Sequence, residues 1–224
     1  QVFPSNGLMV IFPRILCNTF RNLREINLNE AHLSYSMKVW GITDQSFSGC
    51  SQLDSLRLDL SELQSIDANA FINNLQLRSI EFTSFQHSSI PENLFANLAN
   101  LNILSITCTQ AMHIPSETFR ALTKLTQLSL QSCGIFGINS AWFENFQNLQ
   151  RLSLFGNQLQ FISSTTFASL TTLDSLILDT NQIEMISDSA FRLLTRLETL
   201  VLGNNRLGAL RPAWFETLTN LWQL

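Results

Sequence analysis

Apolar residues along this chain follow two interleaved spacings, one long and one short. The long one is 24 residues and is carried by a column of phenylalanines: Phe47, Phe71, Phe95, Phe119, Phe143, Phe167, Phe191 and Phe215. A fixed period of this size predicts a solenoid, in which each coil buries its apolar face only by stacking on its neighbours. The short spacing is two. Six residues after each Phe stands a leucine, from Leu53, Leu77 and Leu101 through Leu125, Leu149, Leu173 and Leu197 to Leu221. Behind it apolar residues recur at the fourth and sixth positions, as in Leu149-Leu152-Leu154 and Leu173-Leu176-Leu178. Such alternation predicts a short half-buried strand. Because every coil returns to the same side, successive strands must be parallel and form one sheet whose outward residues face solvent on the concave wall.

The other half of each coil carries apolar residues at the eleventh and fourteenth positions, then the Phe, then another apolar residue three further on. Leu159, Ile162, Phe167 and Leu170 show the full set. Nothing between them has the length of a helix, so short turns and single 3-10 turns are predicted for the convex wall. With strands about 4.8 Å apart, the nine coils starting at Leu23, Leu53 and so on to Leu221 give a sheet roughly 40 to 45 Å long. The ninth position is Asn157, Asn181 and Asn205 in the last three complete coils, but Ala31, Ser61, Phe85, Thr109 and Cys133 before them. Stacked inward amides can form a ladder that satisfies the backbone groups left over where the chain turns. The C-terminal half is therefore expected to be the more regular. In the N-terminal half, ordered water or an altered backbone has to meet that demand.

The string Leu-x-x-Leu-x-Leu-x-x-Asn-x-Ile followed by Phe, read from Leu173 to Phe191, resembles the typical 24-residue class of extracellular leucine-rich repeat proteins. The Phe column is similar to that of Toll-type receptor ectodomains and secreted leucine-rich immune proteins of animals. The resemblance implies an α/β solenoid: a horseshoe with a parallel concave β-sheet and short turns or 3-10 segments on the convex side. It also implies an extracellular, non-catalytic recognition module set in innate immunity. A structural or adhesion ectodomain with homophilic or matrix contacts is the alternative. The chain reads as one domain over 1–224, with a degenerate repeat or cap over 1–22, repeats over 23–220 and the start of a further repeat over 221–224. Phe12-Pro13 matches Ile90-Pro91 and Ile114-Pro115 in register, which is why the first segment reads as a decayed coil. Two departures from the family pattern stand out. The cysteine-rich caps that often flank such arrays are missing. The coil from Leu23 is six residues longer, with an insert around Tyr35-Ser36-Met37-Lys38-Val39-Trp40 expected to be a loop whose Trp40 folds back over the coil.

Composition narrows the function. Hydrophobic residues make up 45% and charged residues 13% of the chain, enough apolar positions to line every coil. A formal charge of -4 without a Lys/Arg run argues against a nucleic-acid groove or an anionic membrane surface. No apolar run reaches the roughly 20 residues of a membrane span. The chain starts at Gln1 without Met and stops at Leu224 inside a repeat, so it reads as processed or truncated. It contains no Asn-x-Ser/Thr sequon.

Candidate chemistry is sparse. His32, His87 and His113 occupy three different repeat positions and form no column, and no nucleophile motif accompanies them. Neither a catalytic group nor a cofactor or metal site is expected, since Cys108 and His113 are an isolated pair. Cys17 takes the Phe column's place one coil before Phe47, and Cys50 follows that column by three. Both point into the convex core, as a disulfide or as buried thiols. Cys133 replaces a ladder Asn and should point inward, whereas Cys108 at an eighth position should point elsewhere, which disfavours a bridge between them.

The outward strand positions change character along the arc. Glu25, Arg57, Asp59, Arg78 and Glu81 give mixed charge, Ser105, Thr107, Gln127, Ser129 and Gln131 are small or polar, and Phe155, Ile177 and Val201 are apolar. An apolar cluster edged by polar residues has the make-up of an interface core, where aromatic residues and Arg are frequent anchors. Arg151, Phe155, Ile177, Val201 and Trp222 are the candidate contacts for another protein or large ligand on the concave face. A sheet ending at Leu221 to Leu224 would also present an unpaired edge, a template for pairing with a second copy.

Overall fold

The computed structural model describes residues 9–11, 17, 19–20, 22–28 and 38–224. Its strands are β1 (Met9–Ile11), β2 (Glu25–Leu28), β3 (Lys38–Ile42), β4 (Ser55–Asp59), β5 (Ser65–Ile66), β6 (Ser79–Phe85) and β7 (Ile103–Cys108). They continue as β8 (Gln127–Gln131), β9 (Arg151–Ser153), β10 (Phe161–Ile162), β11 (Ser175–Ile177), β12 (Met185–Ile186) and β13 (Thr199–Val201). One strand from each coil joins a single eight-stranded sheet in the order β2-β4-β6-β7-β8-β9-β11-β13, parallel throughout. A bridge between Thr199 and Gln223 adds the start of one more coil. The alternation reads directly as burial: Leu56 and Leu58, Leu128 and Leu130, Leu152 and Leu154 are sealed while the residues between them look outward.

The Phe column forms the spine of the core. Phe47 through Phe191 are buried, and rings of successive coils meet at Phe47–Phe71, Phe95–Phe119, Phe143–Phe167 and Phe167–Phe191, with centroids 5.6 to 6.5 Å apart. The last member departs from expectation. Phe215 is only half-buried and meets Trp214 edge-on, with ring centroids 6.2 Å apart. The convex wall has the expected thin build, made of turns and two 3-10 segments, Ser140–Phe143 and Pro212–Trp214.

Smaller parallel pairings run along the flank where each coil turns back, β1-β3-β5 at one end and β10-β12 at the other. The first corrects the expected loop, because Lys38 to Trp40 belong to β3 and Val39 is buried. Its pairing with β1 extends the flank sheet through part of the insert. The Trp40 side chain, Tyr35 to Met37, Phe12-Pro13, Ala31 and His32 lie outside what is described.

The ladder forms where the sequence places it. Each Asn amide donates to the sixth-position carbonyl of its own coil and of the coil before: Asn157 to Leu154 and Leu130, Asn181 to Leu178 and Leu154, Asn205 to Leu202 and Leu178, all at 2.8 to 3.0 Å. Each amide oxygen accepts a backbone N–H from the preceding coil, at Ile135, Leu159 and Ile183 respectively. In the N-terminal half the backbone changes instead. β6 runs on to Phe85 through a register shift, and Phe85 is buried where an Asn would sit.

The cysteines form two disulfides, Cys17–Cys50 and Cys108–Cys133. The second overturns the reading that Cys108 points away, and the reason is local. At the eighth position Ser84, Ser132, Gly156, Thr180 and Asn204 take φ between 51° and 70°, the left-handed turn that ends the strand. Cys108 instead stays in β7, so the alternation Leu104, Ile106, Cys108 carries its side chain inward to meet Cys133.

A candidate interaction face on the C-terminal coils

The three C-terminal strands are in plain register. Arg151, Ser175 and Thr199 form one row across them, and Ser153, Ile177 and Val201 form the next outward row. Ile177 and Val201 are therefore side-by-side neighbours on the concave face, both half-exposed. Leu152, Leu176 and Leu200 between the rows are buried and anchor the strands from behind. Phe155 lies two residues past Ser153, in the turn beyond β9, and is 37% exposed. Its position depends on Gly156, whose φ of +70° makes the turn and whose backbone passes so close to Ser132 that a Cβ would stand 2.9 Å from the Ser132 hydroxyl oxygen. Phe155 thus projects diagonally across from Ile177.

The electrostatic setting differs from that of the N-terminal strands. There Arg57 meets Glu81 at 3.5 Å across the concave face, and Arg78 meets Asp54 at 3.2 Å beside it. Arg151 is exposed and has no ion-pair partner among the described residues. An uncommitted guanidinium beside aliphatic and aromatic side chains can grip a carboxylate or a carbonyl edge while they exclude water around it.

Trp222 does not join this group. Gln223, not Trp222, pairs with Thr199, so Trp222 stands in the row of Glu198 on the flank. It is 72% exposed, and its indole N–H faces the Glu198 carboxylate at 3.4 Å. The structure brings Arg151, Phe155, Ile177 and Val201 onto one face and leaves Trp222 beside it.

Two polar features escaped the sequence reading. Asn100, Asn148 and Asn220, each directly before a start leucine, donate to the carbonyls of Leu75, Thr123 and Thr195 in the preceding coil. Their common position just before the leucine was the available signal. Asn74 is buried and donates to the Phe47 and Cys50 carbonyls, in a column that otherwise reads Cys50, Leu98, Leu122, Phe146, Leu170, Leu194 and Leu218. Its break in that apolar column was legible too. His87 packs on Phe85 with ring centroids 5.7 Å apart, and no group of three or more His, Cys, Asp or Glu among the described residues is arranged to hold a metal ion. None of the described helices is long and apolar enough to cross a membrane.

Comparison with known proteins bears on the repeat and the fold. The family model for the leucine rich repeat matches residues 123–183 and 171–224, and that for the BspA type leucine rich repeat region matches 14–133. Among solved structures the chain is similar to TLR13 in its complex with ssRNA13, at 27% identity and a TM-score of 0.74, over 82% of this chain and 26% of that one. Toll, from the Toll–Spatzle complex of Drosophila, matches at 18% identity and a TM-score of 0.58, over 99% of this chain and 37% of Toll. The LRR protein LIC12759 of Leptospira interrogans matches at 20% identity and a TM-score of 0.68, over all of this chain and 58% of that one. The chain thus spans between about a quarter and three fifths of the length of these relatives. Among curated protein sequences nothing matches it.

Proposed function

The chain belongs to the leucine-rich repeat family, and from that premise we propose that it is a non-catalytic recognition module that binds another protein through its concave face in immune recognition outside the cell. The observation that carries the proposal is the apolar pair Ile177 and Val201, in register on adjacent strands, extended diagonally by Phe155 and edged by the unpaired Arg151. Isolated apolar residues on a surface are ordinary; a contiguous set with an aromatic and a free guanidinium has the composition of a binding centre. Similarity to TLR13 and to the Toll of the Toll–Spatzle complex supports the receptor setting. Two disulfides, together with those relatives, support an extracellular or lumenal compartment. The mild negative charge and the pairing of Arg57 and Arg78 with Glu81 and Asp54 favour a protein partner over an RNA.

A photo-crosslinking residue tests this when placed at Ile177 and, separately, at Leu193, which is exposed on another wall. The Ile177 position is expected to capture a discrete extracellular protein, and the Leu193 position is not. Purified, that protein should bind the Ile177→Asp/Val201→Asp variant at least about tenfold more weakly than the parent chain. Capture only from Leu193, or equal affinity for parent and variant, would sink the reading.

A further inference from the structure

Charge on the C-terminal half of the concave face is sparse and placed at two ends. From β7 to β13, the outward positions of the strands and of the turns just past them carry two charged side chains among the described residues, Arg151 and Asp179. Arg151 lies across from Ser175 at the start of the strands. Asp179 stands four residues beyond Ser175, next to the turn of Phe155, where the Gly156 N–H donates to the Asp179 carbonyl at 3.2 Å. At about 3.3 Å per strand residue the two ends are about 13 Å apart along the strand direction. Ile177 lies midway between them, with Val201 beside it.

Both ends are chemically open. The exposed Arg151 has Ser153 two residues on along β9 and Ser175 across from it on β11, and neither hydroxyl makes a hydrogen bond among the described residues. A guanidinium and two uncommitted hydroxyls form a donor cluster that a carboxylate satisfies. The flank behind it sets Lys124 and Arg196 against Asp174 and Glu198 and so adds no net charge. At the other end the Asp179 carboxylate accepts the hydroxyl of its neighbour Thr180 at 3.4 Å and has no ion-pair partner among the described residues. Gly203 is its neighbour on the next coil and leaves that side clear; a Cβ there would stand 3.9 Å from the Asp179 Cβ. One cation does not balance the charge of a phosphate group, and Asp179 repels a run of negative charge, so a single carboxylate fits best.

We infer that the partner segment received by this face is bipolar, an inference that rests on the concave face being the binding wall. A side-chain carboxylate of the partner protein seats against Arg151, Ser153 and Ser175, apolar side chains cover Phe155, Ile177 and Val201, and a Lys or Arg meets Asp179. The opposite charges fix which way round the segment lies, because reversed docking sets like charges together at both ends.

The probe is a phage-displayed library of random dodecapeptides, selected on the intact chain and depleted on Ile177→Asp. The surviving peptides are expected to carry Asp or Glu on one side of an apolar pair and Lys or Arg on the other. Selection on Arg151→Glu should exchange the acid for Lys or Arg and leave the other end alone, and selection on Asp179→Lys should exchange the base for an acid. A synthetic peptide from the parent selection should bind Arg151→Gln at least about tenfold more weakly, and changing its acid to the amide should cost nothing further in that variant. Arg151 is exposed, so the fold survives its replacement. Asp179 is half-buried, and Asp179→Asn, which keeps its size, should by itself remove the preference for a base. Ile177-dependent peptides that show the same charges in the parent and Arg151→Glu selections, or no charge preference, overturn the inference and leave the concave binding wall standing. A selection that yields no Ile177-dependent peptide overturns both.

Discussion

The strands of the N-terminal and central coils outlast those of the C-terminal coils. β4, β6, β7 and β8 run for five, seven, six and five residues, whereas β9, β11 and β13 each stop at three. The short strands coincide with the amide ladder. Asn157, Asn181 and Asn205 stand at the ninth position of these three coils, and each amide takes the sixth-position carbonyl of its own coil. Where Ser61, Phe85 and Cys133 stand at the ninth position, pairing continues further and the corner is closed by apolar packing or by the Cys108–Cys133 bond. One 24-residue register accommodates both solutions. The turn after β9 is also what carries Phe155 out onto the concave face beside the Ile177 strand.

The comparison can be broken most forcefully at what the two regions share. Phe119 and Phe167 are sealed members of one spine, so Phe119→Ala and Phe167→Ala should each cost about 3 to 5 kcal/mol in chemical denaturation. A loss confined to one of the two would mean that the halves do not share a core. The next largest effect separates them. Converting both Cys108 and Cys133 to Ser removes a cross-link spanning 25 residues and should lower stability by about 3 kcal/mol. Reducing agent should destabilise the parent chain further, because it also opens Cys17–Cys50, and should add nothing to a variant in which both bonds are replaced.

Asn181→Ala probes the other solution. It strips the Leu154 and Leu178 carbonyls and the Leu159 N–H of a partner and should cost about 1 to 3 kcal/mol. Faster amide exchange is expected at Leu159 and its neighbours while β6 and β7 stay unchanged. An equal acceleration in both regions would contradict a local ladder. The smallest effect on stability is expected at the interaction face. Ile177→Asp is an outward substitution and should shift thermal unfolding by no more than about 0.5 kcal/mol, yet abolish partner binding.

Much of this is legible in the sequence. The phenylalanine spacing sets the coil and the leucine alternation sets which side of each strand is buried. Asn157, Asn181 and Asn205 declare the ladder because an amide can both donate and accept at a corner. Legibility ended where a backbone angle decides a side chain's direction. Cys108 and Ser132 share the eighth position, but Ser132 adopts φ of 55° and ends its strand while Cys108 prolongs its own. Position counting alone assigns both outward. Trp222 was grouped with the concave face by its place in the chain, whereas the bridge of Gln223 to Thr199 sets Trp222 one row back, beside Glu198.

The proposed function divides the walls: the spine and ladder hold the shape, and the short-stranded half of the concave face is proposed to do the recognising. Amide hydrogen exchange on the free chain and on its complex with the protein captured from position 177 tests that division directly. Protection is expected over 151–155, 175–179 and 199–203. Protection of β4, β6 and β7 with those three segments unchanged would contradict it.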